Sequence, residues 1–336
     1  MNTTIRRRQG APLIVALMLI LAVLAGCGQE AAGSPATPRV PAAGKPATVL
    51  RVGYQKGGSL PILKGQGTLE KRLNALGVTV QWTEFAAGPP LLEALNTGSI
   101  DLGSTGQTPP IFAQAAGTPL VYIAAIAATP GGQALIVPKD SPIKAVSELK
   151  GKKVAFAKGS SAHFFTINVL QEAGLQYSDI KPVFLTPPDA RAAFDGGSVD
   201  AWVIWDPYLT IARKATEARV LHDGTSLTPT HSYYLAARSF VDQHPDVLDV
   251  ALEEIQAVEK WSGENPQEVA KILAPVIGVD ASILEEVSRR QKFGIEPVSD
   301  ALVIEQQSIA DTFFKLGLIP KQINIREAVW SWEGNE

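Results

Sequence analysis

One segment of the sequence occurs twice at a constant spacing. Ala94–Asp101 reads Ala-Leu-Asn-Thr-Gly-Ser-Ile-Asp, and Ala193–Asp200, 99 residues later, reads Ala-Phe-Asp-Gly-Gly-Ser-Val-Asp. Upstream, Arg51–Gly57 and Lys153–Gly159 match in the same order. A Gly-Ser-hydrophobic-Asp sequence is also a common way to end a helix and begin a strand, which would explain one match. Two matches in the same order favour a structural unit that the chain uses twice.

The secondary-structure pattern follows this repeat. From Val49 onward short β-rich segments alternate with helical ones, which predicts an α/β fold. A strand over Val49–Tyr54 precedes a predicted helix over Leu60–Leu76, the alternation restarts at Lys153, and from about Phe240 the chain is mostly helical. Open α/β sheets bind ligands beyond the carboxyl ends of their strands. Two such units facing each other predict a two-lobed protein with a cleft between the lobes.

The N-terminal residues have the pattern of a targeting segment. Three arginines at positions 6–8 precede an uncharged, apolar run over residues 11–25, which is shorter than the roughly 20 residues of a membrane-spanning helix. Leu24-Ala-Gly-Cys27 follows, and Cys27 is the only cysteine. This sequence resembles a bacterial lipobox, which implies a signal peptide over residues 1–27 that ends at a lipidated Cys27. A transmembrane anchor, or a secreted protein with an incidental cysteine, is the alternative. Residues 28–47 are rich in Ala, Pro and Gly and predict a flexible tether.

Three loops that follow predicted strands carry small, donor-rich residues and open helices. They are Gln55–Ser59, Ser104–Thr108 and Lys158–Ser161. The N-terminus of a helix has unpaired backbone N–H groups and a partial positive charge, and glycine allows a ligand to approach the backbone closely. Most such helix starts only cap their helices. Because these loops fall on both repeat units, we predict that they form an anion site together.

Aromatic residues near the predicted cleft offer an apolar surface. Alternation along the strand that ends at Trp205 places Trp202 in the core and Trp205 at the strand end, where its ring could cover the hydrocarbon part of a ligand. Asp206 either caps the next helix or accepts a hydrogen bond from a ligand hydroxyl or amine. Tyr233 and Tyr234 are adjacent in a strand, so only one should face the cleft, and we prefer Tyr234.

Composition and residue spacing exclude several function classes. The formal net charge is −3, and the sequence does not resemble that of a nucleic-acid-binding protein, which would need a concentrated basic face. The four histidines do not have zinc-ligand spacing, no second cysteine is available, and no Gly-x-Ser-x-Gly sequence occurs. We therefore predict a non-enzymatic protein with no catalytic residues, no metal and no cofactor.

Together these motifs resemble those of the aliphatic-sulfonate-binding proteins of ABC importers, within the nitrate/taurine/sulfonate-binding group of periplasmic binding proteins. The resemblance covers residues from about 48 to about 332. The segments that carry it are Val52–Lys56, Glu84–Pro89, Gly103–Gly117, Lys158–His163, Asp189–Phe194 and Val199–Pro207.

This resemblance implies a type II periplasmic-binding-protein fold with two lobe-crossing strands. Lobe 1 would comprise residues 48–135 and 237–336, and lobe 2 residues 136–236. It implies a monomer of the cell envelope, lipid-anchored at the outer face of the cytoplasmic membrane or in the periplasm, that serves a permease and a cytoplasmic ATPase. The candidate ligand contacts, including the tyrosine from the strand pattern, are Gln55, Gly57, Ser59, Gly106, Gln107, Thr108, Ser160, Ser161, His163, Trp205, Asp206 and Tyr234.

One position departs from the pattern of the family. Sulfonate binders of this type often have Gly-Asp where this chain has Gly106-Gln107, which leaves open the head or tail group that it prefers. A receptor for nitrate, taurine or a thiamine precursor remains an alternative. Two more remote alternatives are an enzyme of the thiamine-pyrimidine synthase type and a sensor that docks to a receptor kinase.

Overall fold

The computed structural model describes residues 48–330. The predicted signal peptide with Cys27 and the predicted tether over residues 28–47 lie outside the described residues. The strands of the described part are β1 (Thr48–Tyr54), β2 (Val78–Glu84), β3 (Leu102–Thr105), β4 (Leu120–Ile126), β5 (Gln133–Val137), β6 (Lys153–Phe156), β7 (Lys181–Phe184), β8 (Ala201–Trp205), β9 (Arg219–His222), β10 (Ser232–Ala237) and β11 (Ile295–Glu296).

Helices follow most strands and then fill the C-terminal third. They are α1 (Leu60–Gln66), α2 (Thr68–Asn74), α3 (Gly88–Asn96), α4 (Thr108–Ala116), α5 (Ser161–Glu172), α6 (Pro187–Asp195), α7 (Tyr208–Thr216), α8 (Arg238–Gln243), α9 (Pro245–Glu264), α10 (Pro266–Ile277), α11 (Ala281–Arg290) and α12 (Asp300–Lys315). Within residues 48–330 none of these helices combines the length and the apolar character needed to cross a membrane.

The strands form two sheets with the same local plan. The first sheet has the order β11-β4-β10-β3-β1-β2, and the second has the order β7-β6-β8-β5-β9. In each sheet three strands are parallel, β2-β1-β3 in the first and β7-β6-β8 in the second. An antiparallel strand then pairs with the third of them, β10 with β3 and β5 with β8. The predicted repeat therefore corresponds to two equivalent α/β units, and the two-lobed fold is confirmed.

The aspartate that ends each copy of the repeated segment has the same role in both units. Asp101 accepts the backbone N–H of Arg51 at 2.8 Å, and Asp200 accepts that of Lys153 at 2.7 Å. Each aspartate also donates its own N–H to the carbonyl of the same partner. A carboxylate that accepts from a backbone N–H makes a stronger bond than a neutral acceptor. The recurrent aspartate therefore holds β3 beside β1 in the first lobe and β8 beside β6 in the second.

Apolar clusters enclose both sheets. One cluster surrounds the first sheet together with the C-terminal helices, and two clusters cover opposite faces of the second sheet. Along β8, Val203 belongs to one face, and Trp202 and Ile204 to the other. Trp202 is only 1% exposed, which confirms its predicted core position.

The predicted helix over residues 60–76 is wrong in one respect, because the segment forms two helices. Gly67 separates α1 from α2 and adopts φ +66°, a left-handed conformation that interrupts the helical hydrogen-bond ladder. Glycine reaches this conformation without the steric cost that a side chain would add.

The two predicted lobe boundaries, which stay predictions, lie near the points where the chain leaves one sheet for the other. The sequence places them at 135/136 and 236/237. All of β5, from Gln133, lies in the second sheet, and all of β10, to Ala237, lies in the first. The chain therefore passes between the sheets over residues 127–132 and 223–231. Antiparallel pairing with β8 places β5 in the second sheet, and antiparallel pairing with β3 places β10 in the first. Residue patterns along the chain do not reveal such pairing.

Candidate functional site

A cavity of about 270 Å³ lies between the two lobes and is lined by residues of both. Eight of the twelve predicted ligand contacts line it: Gln55, Gly57, Gly106, Gln107, Ser160, Ser161, Trp205 and Asp206. The crossing segments contribute further wall residues, among them Thr129, Gly131 and Thr228. The predicted loops thus converge on one space.

The first lobe contributes the loops that follow β1 and β3. The side-chain amide of Gln55 donates to the carbonyl oxygen of Ser104 at 3.0 Å, which ties one loop to the other. Gly58 has φ +82°, a conformation that favours glycine, and the backbone of Gly57 and Gly58 lines the cavity. The cavity wall on this side therefore consists largely of backbone and small side chains.

The second lobe contributes the start of α5. Ser160 precedes the first residue of this helix, and its hydroxyl donates to the carbonyl of Ala157 at 2.7 Å. Ser161 begins α5 and lines the cavity beside Ser160. No side chain caps this helix, so its first backbone N–H groups are available at the cavity. The arrangement suits an acceptor-rich anion.

The loops of the two lobes touch where glycine removes the side chain. A Cβ atom placed on Gly106 would lie 2.9 Å from the Cβ of Ser161, which is closer than real Cβ contacts. A Cβ on Gly57 would lie 3.1 Å from the carbonyl oxygen of Asp206. Both contacts join the first lobe to the second. Glycine therefore allows the two lobes to approach closely at both positions, and the approach at Gly106 leaves no room for a Cβ atom.

Trp205 lies at the end of β8, as the sequence predicts. Its side chain is half-buried and lines the cavity. Farther along the wall α5 adds Phe164, Phe165 and Asn168, and the crossing segment over residues 223–231 adds Leu227. One wall of the cavity therefore provides an apolar surface opposite the donor loops.

The sequence does not single out Arg290, which lines the cavity from the end of α11. Its Nη2 donates to Asp206 Oδ2 at 2.6 Å and its Nε donates to the same oxygen at 3.1 Å. The hydroxyl of Thr210 accepts from Nη2 at 2.8 Å and donates to Asp206 Oδ1 at 2.7 Å. The ion pair between Arg290 and Asp206 therefore joins the first lobe to the second. Arg290 ends a predicted helix without any motif, so only the fold reveals its place.

Asp206 lines the cavity, but its carboxylate is already occupied. Oδ2 binds Arg290, and Oδ1 accepts the backbone N–H of Thr210 at 3.1 Å as well as its hydroxyl. Of the two predicted roles, the contacts therefore favour the one at the start of α7. The carboxylate also positions the guanidinium beside the cavity.

Two predicted contact residues, Ser59 and Thr108, are buried outside the lining of the cavity. Ser59 is 1% exposed and Thr108 is fully buried. Each residue stands where a loop turns into a helix, Ser59 just before α1 and Thr108 at the start of α4. The backbone upstream of each residue faces the cavity, whereas its side chain faces the interior of the first lobe. The described contacts therefore do not bring either side chain to the cavity, and direct contact with a ligand stays a prediction for both.

His163 lies in the core, outside the lining of the cavity. The ring is fully buried, its Nδ1 accepts the backbone N–H of Gly159 at 3.2 Å, and its Nε2 lies 2.9 Å from the hydroxyl of Tyr177. It stacks on Phe156 and contacts Phe313 of the first lobe edge-on. Burial, followed by the nearby charge of Lys158, lowers the pKa of His163 to about 4. Helical periodicity turns this position of α5 inward, away from the cavity.

Tyr234, another predicted contact, also lies outside the lining of the cavity. Its strand β10 pairs with β3 on one edge and β4 on the other, and Tyr233 and Tyr234, which point to opposite faces, are both fully buried in the first-lobe cluster. The hydroxyl of Tyr234 donates to Glu259 Oε1 at 2.9 Å. The other carboxylate oxygen of Glu259 accepts the backbone N–H of Gly294 at 2.9 Å. Tyr234 therefore helps to fix the segment before β11.

Within the part of the chain that the structure describes, no cluster of three His, Cys, Asp or Glu side chains could hold a metal ion. The cavity offers hydrogen-bond donors, one guanidinium paired with a carboxylate, and an indole. It is suited to holding an anion with an apolar part.

Two similar lobes, joined by two crossings and enclosing a cavity between their loops, define a type II periplasmic binding protein. The chain belongs to the NMT1/THI5-like family, whose sequence profile matches residues 75–269.

Relatives extend the likeness over most of the chain. A putative aliphatic sulfonates-binding protein of Escherichia coli K12 is 44% identical over 283 residues, 84% of this chain and 88% of the relative. Its counterpart in Bacillus subtilis 168 is 33% identical over 94% of this chain and 93% of the relative. The solved alkanesulfonate-binding protein of Xanthomonas axonopodis pv. citri, bound to MOPS, has 38% identity and a TM-score of 0.80 over 86% of this chain and 99% of the other.

More distant structures share only the fold. A nitrate-binding protein of Synechocystis PCC 6803 and a desulfurization enzyme are each 14% identical, with TM-scores of 0.68 and 0.63. The fold therefore occurs with both binding and catalysis, and function has to be argued from the site.

The burial of His163 predicts a loss of stability in acid. The folded pKa of about 4 lies below the ordinary value of 6.5, so the unfolded chain takes up the proton first as the pH falls. Between pH 6.5 and pH 4 this group should lower the free energy of unfolding by up to about 3 kcal/mol. Urea unfolding should show a smaller loss over this range in His163→Gln than in the unsubstituted protein. Equal losses in both proteins would contradict the assignment.

Proposed function

We propose that this protein is the solute-binding component of an ABC importer and that it captures aliphatic sulfonates by closing its two lobes. The observation that carries the proposal is the meeting of donor loops from both lobes around one cavity, at Gly106 with Ser161 and at Gly57 with Asp206. The names of the two bacterial relatives and of the Xanthomonas structure support the choice of ligand.

The chemistry of a sulfonate matches this cavity. The group is ionised at physiological pH, has three acceptor oxygens and carries no donor. It therefore needs donors, which the start of α5, the backbone of the first-lobe loops and Arg290 supply. The alkyl part would lie against Trp205, whose ring gains from burial.

Capture would use the two crossing segments as hinges. We propose that residues 48–126 and 232–330 move as one lobe and residues 133–222 as the other. Hinge closure over a ligand in a two-lobed protein needs a few backbone changes at such crossings. The ion pair between Arg290 and Asp206 would form as the lobes close.

The protein would bind its ligand without altering it, as a monomer and with no cofactor. Support comes from the relatives with high identity, which are named as binding proteins, and from the donor set, in which no nucleophile is paired with a base. Its partners would be a membrane permease and a cytoplasmic ATPase. It would act in the cell envelope, where E. coli and other bacteria have periplasmic proteins of this group.

Calorimetry with a panel of anions tests the proposed ligand. The panel contains methanesulfonate, ethanesulfonate, MOPS, taurine, nitrate and acetate, each titrated into protein that has been unfolded and refolded to remove bound ligand. We expect the alkanesulfonates to bind more tightly than nitrate and acetate. Nitrate or taurine as the tightest ligand, or no binding of any sulfonate, would contradict the proposal.

The substitution Gly106→Ala should weaken binding without unfolding the protein. The new Cβ would press on Ser161 across the cleft, and overpacking of this kind costs about 1–3 kcal/mol. Ethanesulfonate affinity should therefore fall by at least about tenfold, while the urea midpoint of the ligand-free protein stays within about 0.2 M. Adding Ser161→Gly removes the Cβ atom of Ser161 that the new Cβ contacts, so it should recover part of the affinity. Unchanged affinity in Gly106→Ala would mean that these loops do not meet in the bound state.

The single cysteine at position 27 is proposed as a lipid attachment site, which would hold the domain at the outer face of the cytoplasmic membrane. In cells, Cys27→Ser should move the protein from the membrane fraction to the soluble envelope fraction, because one or more acyl chains supply the anchoring. Metabolic labelling with a palmitate analogue should mark the unsubstituted protein alone. Equal membrane retention of both forms would contradict the proposal.

A further inference from the structure

The charged side chains that line the cavity balance one another. They are Asp206, Asp223, Arg290 and Lys292. The lysines of the donor loops are engaged elsewhere. Lys56 donates to the carbonyl of Ile277 and lies 3.6 Å from Glu84, and the ammonium group of Lys158 lies over the ring of Phe184. A cavity for an anion therefore has no excess of positive charge among its lining residues.

The guanidinium of Arg290 is compensated at close range. Asp206 takes two of its donors, and a second carboxylate, that of Glu286, lies 3.9 Å from Nη1. Glu286 in turn pairs with Lys214 at 3.0 Å. The linked side chains alternate in sign, so their summed charge is zero. They are, in order of contact, Asp206, Arg290, Glu286 and Lys214. Asp206 is 10% exposed, so water screens its interaction with the guanidinium only weakly.

We propose that Asp206 sets the charge selectivity of the cavity, so that singly charged oxyanions bind and doubly charged ones such as sulfate are rejected. This inference rests on the proposed function. Sulfate has three oxygens arranged as in a sulfonate and a fourth in place of the carbon. It is smaller than any alkanesulfonate, so a cavity of about 270 Å³ does not exclude it by size. The two ions differ in their alkyl group, which would pack on Trp205, and in their charge, and Asp206 can act on the charge.

The compensation explains how the rejection would work. A monoanion gains hydrogen bonds from the donor loops and meets a site whose nearest ion pair is neutral overall. A dianion carries one more charge into the same space, close to the carboxylate of Asp206, and the two cations of the lining, Arg290 and Lys292, are matched in number by two carboxylates. Specificity often depends on an unfavourable contact with the competitor as well as on favourable contacts with the preferred ligand.

The test compares sulfate with ethanesulfonate in Asp206→Asn. This substitution keeps the shape of the side chain and raises the charge of the site by one. By calorimetry at fixed ionic strength, the ratio of the sulfate Kd to the ethanesulfonate Kd should fall by at least about tenfold, because the added positive charge favours the dianion more than the monoanion. Glu217→Gln makes the same change of net charge on an exposed residue paired with Lys139 and should leave the ratio unchanged.

Two further variants separate charge from structure. Thr210→Val removes the hydroxyl that both Asp206 and Arg290 contact without changing charge, so it should weaken both ligands and leave the ratio within about twofold. Arg290→Gln leaves Asp206 uncompensated and should raise the ratio. A ratio that stays within twofold in both Asp206→Asn and Arg290→Gln, while ethanesulfonate still binds, would overturn this inference alone. Failure of the unsubstituted protein to bind any sulfonate would instead overturn the proposed function.

Discussion

Two backbone contacts between the lobes govern the rest of the site. Gly106 meets Ser161, and Gly57 meets the carbonyl of Asp206, and the approach at Gly106 leaves no room for a Cβ atom. Because the donors of each lobe are short, they can surround one small anion only if the loops themselves approach this closely. The bridge from Arg290 to Asp206 adds a third connection at the same boundary. Affinity in such a site depends on how well the two halves fit together.

The duplicated unit explains why the halves fit. Each lobe builds three parallel strands, held by an aspartate at the start of the third, and each receives an antiparallel strand at the same place. The carboxyl ends of the parallel strands then face the partner lobe with their loops. The C-terminal helices break this symmetry, because they pack on the first lobe and bring Arg290 to the cleft.

Local sequence predicted the features that depend on local chemistry. The repeat, the loops after β1, β3 and β6, and the opposite placement of Trp202 and Trp205 follow from glycine, capping residues and strand alternation. The direction in which individual side chains point does not follow from these local features. Ser59 and Thr108 belong to the right loops but face the interior, and His163 and Tyr234 are held in the core by Tyr177 and Glu259. Arg290 lies 84 residues from its partner Asp206, and no local pattern connects them.

The most direct test of the account is a crystal structure with ethanesulfonate bound. The sulfonate oxygens should lie within about 2.7–3.2 Å of donors from both lobes. The donors of the first lobe should come from residues 55–58 or 104–107, and those of the second lobe from Ser160 or Ser161. The ethyl group should lie against Trp205. A sulfonate held by one lobe alone, or bound outside the cavity, would contradict it.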